Sequence, residues 1–307
     1  MQKCLLVDKV YMPKTKIKSV VVTGANGQLG SEIQKLAPLH PSINFTFVTR
    51  NEVDLNDSSA IKSWFADKQF DVIINCAAYT AVDKAETEAD LAQAINATAV
   101  ATLAKIAKDQ QSSLIHISTD YVFAGENYRP YQESDSTAPQ GIYGTSKLAG
   151  EQALINMNPP RSIIIRTAWV YSQFGNNFVK TMLRLGKERF ELGVIYDQMG
   201  SPTSAQDLAA AILSIVQHPK LESLTGTEIY HYSNEGVCSW CDFAKAIFNY
   251  SGLSCLLKPI ETKDYPTPAK RPPYSVLNKA KIKHDFDITI PYWQDSLKDC
   301  LNSLNGK

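Results

Sequence analysis

Two side chains that could move a proton stand four residues apart in the stretch GIYGTSKLAGE, residues 141–151. A helix would place Tyr143 and Lys147 on one face, with their Cβ atoms about 6 Å apart. A phenol can protonate a carbonyl oxygen, and a nearby ammonium should lower the pKa of that phenol by favouring the phenolate. The same pair could also lie on an ordinary surface helix, so the surrounding elements must decide between the two interpretations.

Apolar runs alternate with helical segments between residues 19 and 168. The runs SVVVTG, NFTFVT, DVIINCA, SLIHIS and RSIIIRT are rich in β-branched residues, which is typical of strands buried on both faces. Intervening helices of about ten or more residues, including a long Ala-rich helix near residues 86–109, favour parallel pairing of the strands. We therefore predict an α/β fold in which residues 19–168 form a doubly wound Rossmann-type parallel sheet.

The alternation weakens after residue 169. Helices are expected near residues 176–189 and 204–217, and the segment PTPAKRPP cannot form a regular helix. We predict that residues 169–307 form mainly a smaller C-terminal substrate-binding lobe, with some segments returning to the Rossmann domain. Residues 1–18 show no clear period and are predicted to be an N-terminal extension.

The composition excludes several classes of protein. With 31 basic and 31 acidic residues among 307, the chain has no electrostatic reason to bind nucleic acid. It contains no apolar run of about 18 residues, so we expect no membrane span and a cytoplasmic protein.

Six scattered cysteines indicate reduced thiols rather than a disulfide framework. The pair Cys238 and Cys241, in CSWC, has the spacing of a metal or redox site but no second pair of ligands, so we interpret it as two small residues entering a helix. The histidines form no HxxxH or HxH pattern, and no catalytic metal is predicted.

Three glycines follow the first predicted strand in the stretch VTGANGQLG. At such a place a sharp turn and the free N–H groups of a helix N-terminus can bind a pyrophosphate. A plain tight turn is the simpler alternative, but the position in an alternating chain favours a dinucleotide. The predicted cofactor contacts of this turn are Gly24, Gly27, Gln28, Leu29 and Gly30.

The tip of the second predicted strand indicates which dinucleotide is preferred. An acidic residue there would bind the ribose hydroxyls of NAD, whereas a basic one can accommodate the 2′-phosphate of NADP. The residue at this place is Arg50. We predict NADPH, with NADH also possible; the alternative is that Arg50 is a solvated loop residue.

Further motifs occur in order along the chain: NCAAYTAVDKAE at 75–86, STDYVF at 118–123 and YGTSK at 143–147. Together with the glycine turn, they resemble the extended short-chain dehydrogenase/reductase family over nearly everything after residue 18. Three other stretches, RTAWVY, GNNFVKTMLRLGKER and YPTPAKRP, resemble the members of that family that reduce nucleotide-linked keto sugars. The resemblance implies that NADPH or NADH reduces the C4 ketone of dTDP-4-dehydro-L-rhamnose to give dTDP-L-rhamnose, the last step of dTDP-rhamnose biosynthesis.

The resemblance also implies roles for single residues. Tyr143 would be the proton donor, Lys147 would lower its pKa and hold the nicotinamide ribose, and Thr119 would bind the carbonyl oxygen. Both Tyr143 and Lys147 would contact the cofactor. Its other implied contacts are Asp54, Leu55, Ala78, Tyr79 and Thr80, and the implied substrate contacts are Thr119, Asp120, Trp169 and Arg271.

Some of these residues have simpler explanations. Asp54 could cap the next helix, and Trp169 could be a core residue rather than a platform for an apolar sugar face. Arg271 is a candidate for the diphosphate because guanidinium binds phosphate in bidentate fashion, but it could be a solvated surface residue.

Related reactions on the same scaffold remain open. Nucleotide-sugar 4,6-dehydratases resemble this chain but carry Asp-Glu after the threonine, whereas the pair here is Asp120-Tyr121. The missing carboxylate favours reduction over elimination. The motifs also fit an epimerase of the same family or a non-catalytic regulatory subunit of a methionine adenosyltransferase, and a homodimer is possible.

Overall fold

The computed structural model describes residues 18–306. The predicted N-terminal extension therefore lies outside the described residues, apart from its last member, Lys18. That residue is the first of strand β1, which begins one residue earlier than predicted.

The strands follow the predicted apolar runs in the first half of the chain and are mostly short in the second half. In chain order they are β1 Lys18–Thr23, β2 Ile43–Val48, β3 Val72–Asn75, β4 Ser113–Thr119, β5 Ser162–Thr167, β6 Val170–Tyr171, β7 Glu191–Ile195, β8 Met199–Gly200, β9 Thr203–Ser204, β10 Thr227–His231, β11 Cys238–Ser239 and β12 Leu256–Ile260.

The helices fill most of the intervals between these strands. They are α1 Gln28–Leu36, α2 Ser58–Phe65, α3 Val82–Ala85, α4 Ala89–Gln93, α5 Ala99–Gln110, α6 Ile142–Met157, α7 Phe178–Glu188, α8 Ala205–Gln217, α9 Pro219–Ser223, α10 Trp240–Ser251, α11 Ala280–Phe286 and α12 Trp293–Leu304.

The central sheet has six strands in the order β10-β5-β4-β3-β1-β2, and each neighbouring pair is parallel. The predicted doubly wound parallel sheet is thus confirmed. The order reverses direction between β1 and β3, because the chain moves outward from β1 to β2 and then returns to the other side of β1. In open α/β sheets such a reversal opens a crevice at the carboxyl ends of the strands.

Two apolar layers cover this sheet because successive side chains of a strand point to opposite faces. In β1, Val20 and Val22 pack in the layer that includes α1 and α8. Val21 packs in the opposite layer with residues of α2 and α5. Burial on both faces explains why the strands read as continuous apolar runs.

The second half of the chain contributes to both parts of the molecule. Strand β10 forms one edge of the central sheet beside β5, and α8 packs against α1. A separate cluster joins α7, α10 and α12 around Phe243 and Trp293. The division of the chain at residue 168 into a Rossmann domain and a lobe stays a prediction.

Two local predictions have different outcomes. Cys238 and Cys241 flank the start of α10, where Ser239 and Asp242 form a capping box, and both thiols are buried and free, as predicted. The predicted single helix over residues 86–109 is instead α4 and α5 separated by a π-helical turn, Ala94–Thr98. Among residues 18–306, no helix is long and apolar enough to span a membrane.

Candidate active site

The glycine turn lies at the end of β1, next to the segment that follows β3. Gly24 has a φ of +70°, and a Cβ on it would lie 2.7 Å from the backbone nitrogen of Ala77. A Cβ on Gly30 would lie 2.3 Å from the carbonyl oxygen of Gly24. Two of the three glycines are therefore needed for backbone packing. Gly27 is the exposed N-cap of α1, and a Cβ on it would meet only the carbonyl oxygen of Gly24, at 3.1 Å.

The residues after Gly27 differ in what they can offer a ligand. The side chain of Leu29 is buried in the sheet core, so only its backbone N–H, in the unpaired first turn of α1, is available for a pyrophosphate. Gln28 accepts a hydrogen bond from Asn177 Nδ2 at 2.9 Å, which ties the turn to α7 of the second half.

A cavity of about 230 Å³ opens beside this turn. It lies between the ends of β1, β2 and β3, where the strand order reverses. It is lined by Thr23, Gly24, Gly27, Val48, Thr49, Arg50, Val53, Asp54, Leu55, Cys76, Ala77, Ala78 and Ile95. A narrow apolar slot ending at a glycine-rich helix N-terminus fits the adenosine end of a dinucleotide.

Arg50 and Asp54 form the rim of this cavity. The Arg50 side chain is 72% exposed and lies 3.4 Å from an Asp54 carboxylate oxygen. Such an exposed pair restrains the guanidinium weakly, so it is free to meet an added phosphate. Leu55 is buried beneath the rim. Asp54 does not cap α2, because the N-cap of that helix is Asp57, whose side chain accepts from Ser59 N and Ala60 N.

The segment Ala78–Thr80 is held by Asn96. The Asn96 side chain accepts from Tyr79 N at 2.9 Å and donates to Tyr79 O at 3.0 Å, so it binds the backbone of Tyr79 on both sides. Asn96 is fully buried in the π-helical turn. Ala78 lines the cavity, whereas the Tyr79 hydroxyl turns to Glu88 at 2.6 Å and Thr80 is exposed.

The predicted catalytic residues meet at the carboxyl end of β4. Thr119 is its last residue, and its hydroxyl is a hydrogen-bond partner of the Tyr143 phenol. Lys147, one turn along α6, is 1% exposed and donates to the carbonyl oxygen of Ile117 at 2.6 Å. The structure therefore brings these three residues together at one corner. Asp120 adjoins them and accepts from Thr119 at 2.9 Å.

Burial is the largest cause of the pKa shifts at this corner. Burial raises the pKa of Tyr143 to about 12, and the Thr119 hydrogen bond opposes that rise. Burial also lowers the pKa of Lys147 to about 8. Lys147 directs its ammonium to the carbonyl oxygen of Ile117, and the predicted lowering of the phenol's pKa by Lys147 stays a prediction. Burial raises the pKa of Asp120 to about 6.

Sequence reasoning missed a second set of residues beneath the corner. His116 Nε2 lies 3.3 Å from Lys147 Nζ, and His116 Nδ1 lies 3.1 Å from Asn75 Nδ2. One turn beyond Lys147, Glu151 receives two hydrogen bonds from Arg166 Nε and one from Arg166 Nη2, the last at 2.7 Å. The only signal in the sequence was that Asn75, His116 and Arg166 interrupt otherwise apolar strands.

Close packing fixes α6 in place. A Cβ on Gly144 would lie 2.3 Å from the carbonyl oxygen of Tyr121. A Cβ on Gly150 would lie 2.1 Å from the carbonyl oxygen of Asn96. The helix that carries Tyr143 and Lys147 can therefore lie directly against the turn after β4 and against the π-helical turn.

Trp169 lies above the site in a strained conformation. Its φ is +50°, and its ring stacks on Trp240 with centroids 3.5 Å apart. Gly200 lies under the same ring, because a Cβ there would be 2.6 Å from Trp169 Cε2 and 2.9 Å from Ser275 Oγ. Ser275 also lies close enough to Asp120 to lower the pKa of its carboxyl against the larger effect of burial. Trp169 therefore connects to the catalytic corner through Gly200 and Ser275.

Arg271 is not a solvated surface arginine. It donates to both carboxylate oxygens of Asp83, at 2.9 and 2.7 Å, and to the Thr267 hydroxyl at 2.6 Å. This pairing joins α3 to the proline-rich segment near Tyr121, whose pKa Arg271 lowers against the effect of burial. The ring of Tyr121 in turn meets that of Tyr143 edge to face at 5.4 Å.

No cluster of three or more His, Cys, Asp or Glu side chains within residues 18–306 could hold a metal ion. The protein groups that can act on a ligand at this site are the hydroxyls, the ammonium, the carboxylates and the guanidinium described above.

Comparison with known proteins agrees with this geometry. Residues 18–305 match the family model described as the RmlD substrate binding domain. The chain belongs to this family. It is 41% identical over 298 residues to the dTDP-4-dehydrorhamnose reductase of Salmonella typhimurium, an alignment that covers 93% of this chain and 98% of that protein.

Solved structures of the family superpose on the whole described fold. A dTDP-4-dehydrorhamnose reductase from Clostridium acetobutylicum is 42% identical with a TM-score of 0.87, covering 94% of this chain and 99% of that chain. One from Bacillus anthracis, solved in complex with NADP, is 40% identical with a TM-score of 0.86, covering 93% and 99%. The predicted resemblance to extended short-chain reductases is thereby confirmed.

Proposed function

We propose that the chain reduces the C4 ketone of dTDP-4-dehydro-L-rhamnose with NADPH to give dTDP-L-rhamnose. The observation that carries the proposal is the convergence of Thr119, Tyr143 and Lys147 at the carboxyl end of β4 in a member of the RmlD family. Its relatives at about 40% identity along nearly their whole length are named for this reaction.

Bound NADPH supplies the hydride, and the residues of the chain manage the proton and the carbonyl oxygen. Tyr143, with its pKa raised to about 12, is fully protonated at neutral pH and donates its proton to that oxygen. Thr119 would turn its hydroxyl hydrogen, which Asp120 accepts in the structure, to that oxygen as a second hydrogen bond. Lys147, close to its own pKa of about 8, can carry the charge that stabilises the resulting phenolate.

The cofactor contacts follow from the cavity. The N-terminus of α1 at Gly27 would hold the pyrophosphate, and Arg50 at the rim of the cavity would hold the 2′-phosphate of the adenosine ribose. Asp54, Leu55 and Ala78 line the adenosine slot. Tyr79 and Thr80 contribute through the backbone that Asn96 holds.

The candidate substrate contacts are Asp120, Trp169 and Arg271. Asp120 would bind a sugar hydroxyl, and Trp169 remains the candidate for the apolar face of the sugar, although Trp240 already covers one face of its ring. Arg271 remains the candidate for the diphosphate, although Asp83 competes for its guanidinium. The position of a dehydratase's second carboxylate is taken by Tyr121, whose ring packs on Tyr143. An aromatic ring there supports reduction without elimination.

A substrate panel tests the function. Purified chain should oxidise NADPH when dTDP-4-dehydro-L-rhamnose is added, and more slowly with the UDP-linked analogue. A chain that retains NAD through purification and leaves free NADPH unchanged would instead be an epimerase or dehydratase. Stable binding to a methionine adenosyltransferase, without ketone-dependent oxidation of NADPH, would identify a regulatory subunit.

A homodimer and a cytoplasmic location stay predictions. Sedimentation of the purified chain tests the first, and fractionation of cells that express it tests the second.

A further inference from the structure

A buried chain of hydrogen bonds ends at Lys147. We call it the donor chain, and its members are the Ala77 backbone N–H and the side chains of Asn75, His116 and Lys147. These three side chains are at most 1% exposed. They come from the last residue of β3, the middle of β4 and α6, so the donor chain crosses two neighbouring central strands next to the site.

The direction of the donor chain is set at Ala77. Its backbone N–H can only donate, and it lies 3.3 Å from Asn75 Oδ1. The Thr23 hydroxyl also donates to that oxygen, at 2.7 Å. The other end of the amide, Nδ2, therefore faces His116 Nδ1 at 3.1 Å. An amide nitrogen can only donate, so His116 Nδ1 must accept with its lone pair and carries no proton.

The proton of His116 must then be on Nε2. A neutral imidazole carries one N–H, and burial together with the charge of Lys147 holds the pKa of His116 well below its usual range. The Nε2–H points at Lys147 Nζ, 3.3 Å away. An ammonium cannot accept this hydrogen bond, whereas an amine can accept it with its lone pair.

Other charged groups act on Lys147 from the elements around it. Glu151, on the same helix, favours the ammonium and is itself held by Arg166 from β5. Tyr143 lies one turn away on the other side, with Asp120 beyond it. Burial outweighs Glu151, so the two protonation states of Lys147 lie close in free energy near pH 8. When the two states are so close in free energy, a hydrogen-bond donor such as the His116 Nε2–H, which favours the amine, determines which state predominates.

We infer that His116 is a positioning residue that stabilises the amine form of Lys147. This inference rests on the proposed roles of Tyr143 and Lys147. Lys147 then restores the proton of Tyr143: the proton leaves Nζ for the phenolate oxygen, the electron pair of the broken N–H bond stays on Nζ, and that pair accepts the His116 Nε2–H. A proton from solvent returns the amine to an ammonium before the next turnover. No oxidant or reductant takes part.

The first test observes His116 directly, without substrate. A long-range ¹H–¹⁵N spectrum of the chain labelled at its five histidines should show His116 with a bare Nδ1 and a protonated Nε2. This state should persist from about pH 6 to about pH 9. The resonance is assigned by its loss in His116→Leu. A protonated Nδ1, or an imidazolium that titrates in this range, overturns the inference.

The second test uses two variants and the pH dependence of kcat/KM. In wild type, activity should fall as pH rises through about 8, where Lys147 loses its proton. His116→Leu removes the donor, so this alkaline limb should move up by about one pH unit. Asn75→Leu frees Nδ1, so His116 can offer a bare Nε2 to the ammonium. It should move the limb in the same direction and switch the tautomer in the spectrum.

If the role of His116 is purely structural, both variants should have a lower kcat and an unchanged alkaline limb. That result would contradict the inference. If one variant fails to fold, the other and the wild-type spectrum still decide. Failure of the proposed reaction is recognised separately, because the spectrum of His116 needs neither NADPH nor the sugar nucleotide.

Discussion

Two arginine–carboxylate pairs in this molecule have the same chemistry in opposite environments. Arg166 and Glu151, below the catalytic corner, are 3% and 0% exposed and lie 2.7 Å apart. Arg50 and Asp54, at the rim of the adenosine cavity, are 72% and 43% exposed and lie 3.4 Å apart. Desolvated charges hold one geometry, because breaking the pair leaves an unpaired buried charge, whereas solvated charges can exchange partners cheaply.

The contrast matches what each region has to do. Proton transfer requires fixed distances, so Tyr143 and Lys147 stand on a helix that is anchored from below. Recognition of a cofactor phosphate requires charge within reach, so an exposed Arg50 is sufficient. Four variants test this difference, and each has a matched control elsewhere on the chain.

Replacement of Tyr143 by Phe should have the largest effect. Losing the proton donor should lower kcat about a thousandfold, while the affinity for NADPH stays close to wild type. Steady-state kinetics and quenching of protein fluorescence by NADPH provide the two measurements. The control is Tyr128→Phe, which alters a phenol that is 91% exposed and should leave kcat and the affinity for NADPH unchanged. Full activity in Tyr143→Phe would remove the proton-donor assignment.

Glu151→Gln should destabilise the fold by about 3 kcal/mol, because Arg166 would keep its charge in a buried site without a carboxylate. The free energy of unfolding in urea measures this. The control is Glu188→Gln, which breaks the exposed pair with Arg184 and should cost about 0.5 kcal/mol or less. Equal losses of unfolding free energy in the two variants would show that burial makes no difference to the contribution of these pairs.

Gly150→Ala should destabilise by about 2 kcal/mol, although helix propensity alone predicts stabilisation of about 1 kcal/mol. The added Cβ would lie 2.1 Å from the carbonyl oxygen of Asn96 and force α6 away from the π-helical turn. Thermal unfolding is the measurement, and Gln152→Ala on the exposed face of α6 is the control. A stabilised Gly150→Ala variant would mean that α6 is not anchored in this way.

Arg50→Ala should have the smallest effect and change cofactor preference only. We expect kcat/KM for NADPH to fall about tenfold, which corresponds to about 1.4 kcal/mol, with the value for NADH nearly unchanged. The control is Arg184→Ala, another exposed arginine. Equal losses with both cofactors would show that Arg50 supports the fold or the substrate rather than the 2′-phosphate.

Sequence patterns were sufficient for features that depend on a few consecutive residues. The apolar runs predicted β1 to β5, the glycine turn predicted the strand-to-helix connection at Gly24, and the four-residue spacing placed Tyr143 and Lys147 on one helical face. The long helix around residue 96 was predicted without its π-helical turn. In that turn Asn96 accepts a hydrogen bond from Tyr79 N and donates one to Tyr79 O, and these bonds form only when the two segments are in contact.

By itself, then, the sequence determined the order of strands and helices and the phosphate-binding turn, because periodicity and turn chemistry act locally, and its resemblance to a known family indicated the Thr119, Tyr143 and Lys147 set. Only the tertiary structure decided that β10 completes the sheet, that Asp83 holds Arg271 and that His116 meets Lys147. These partners are 31 or more residues apart along the chain. Which of them meet depends on strand order and on how closely α6 lies over β4, and no local pattern encodes that placement.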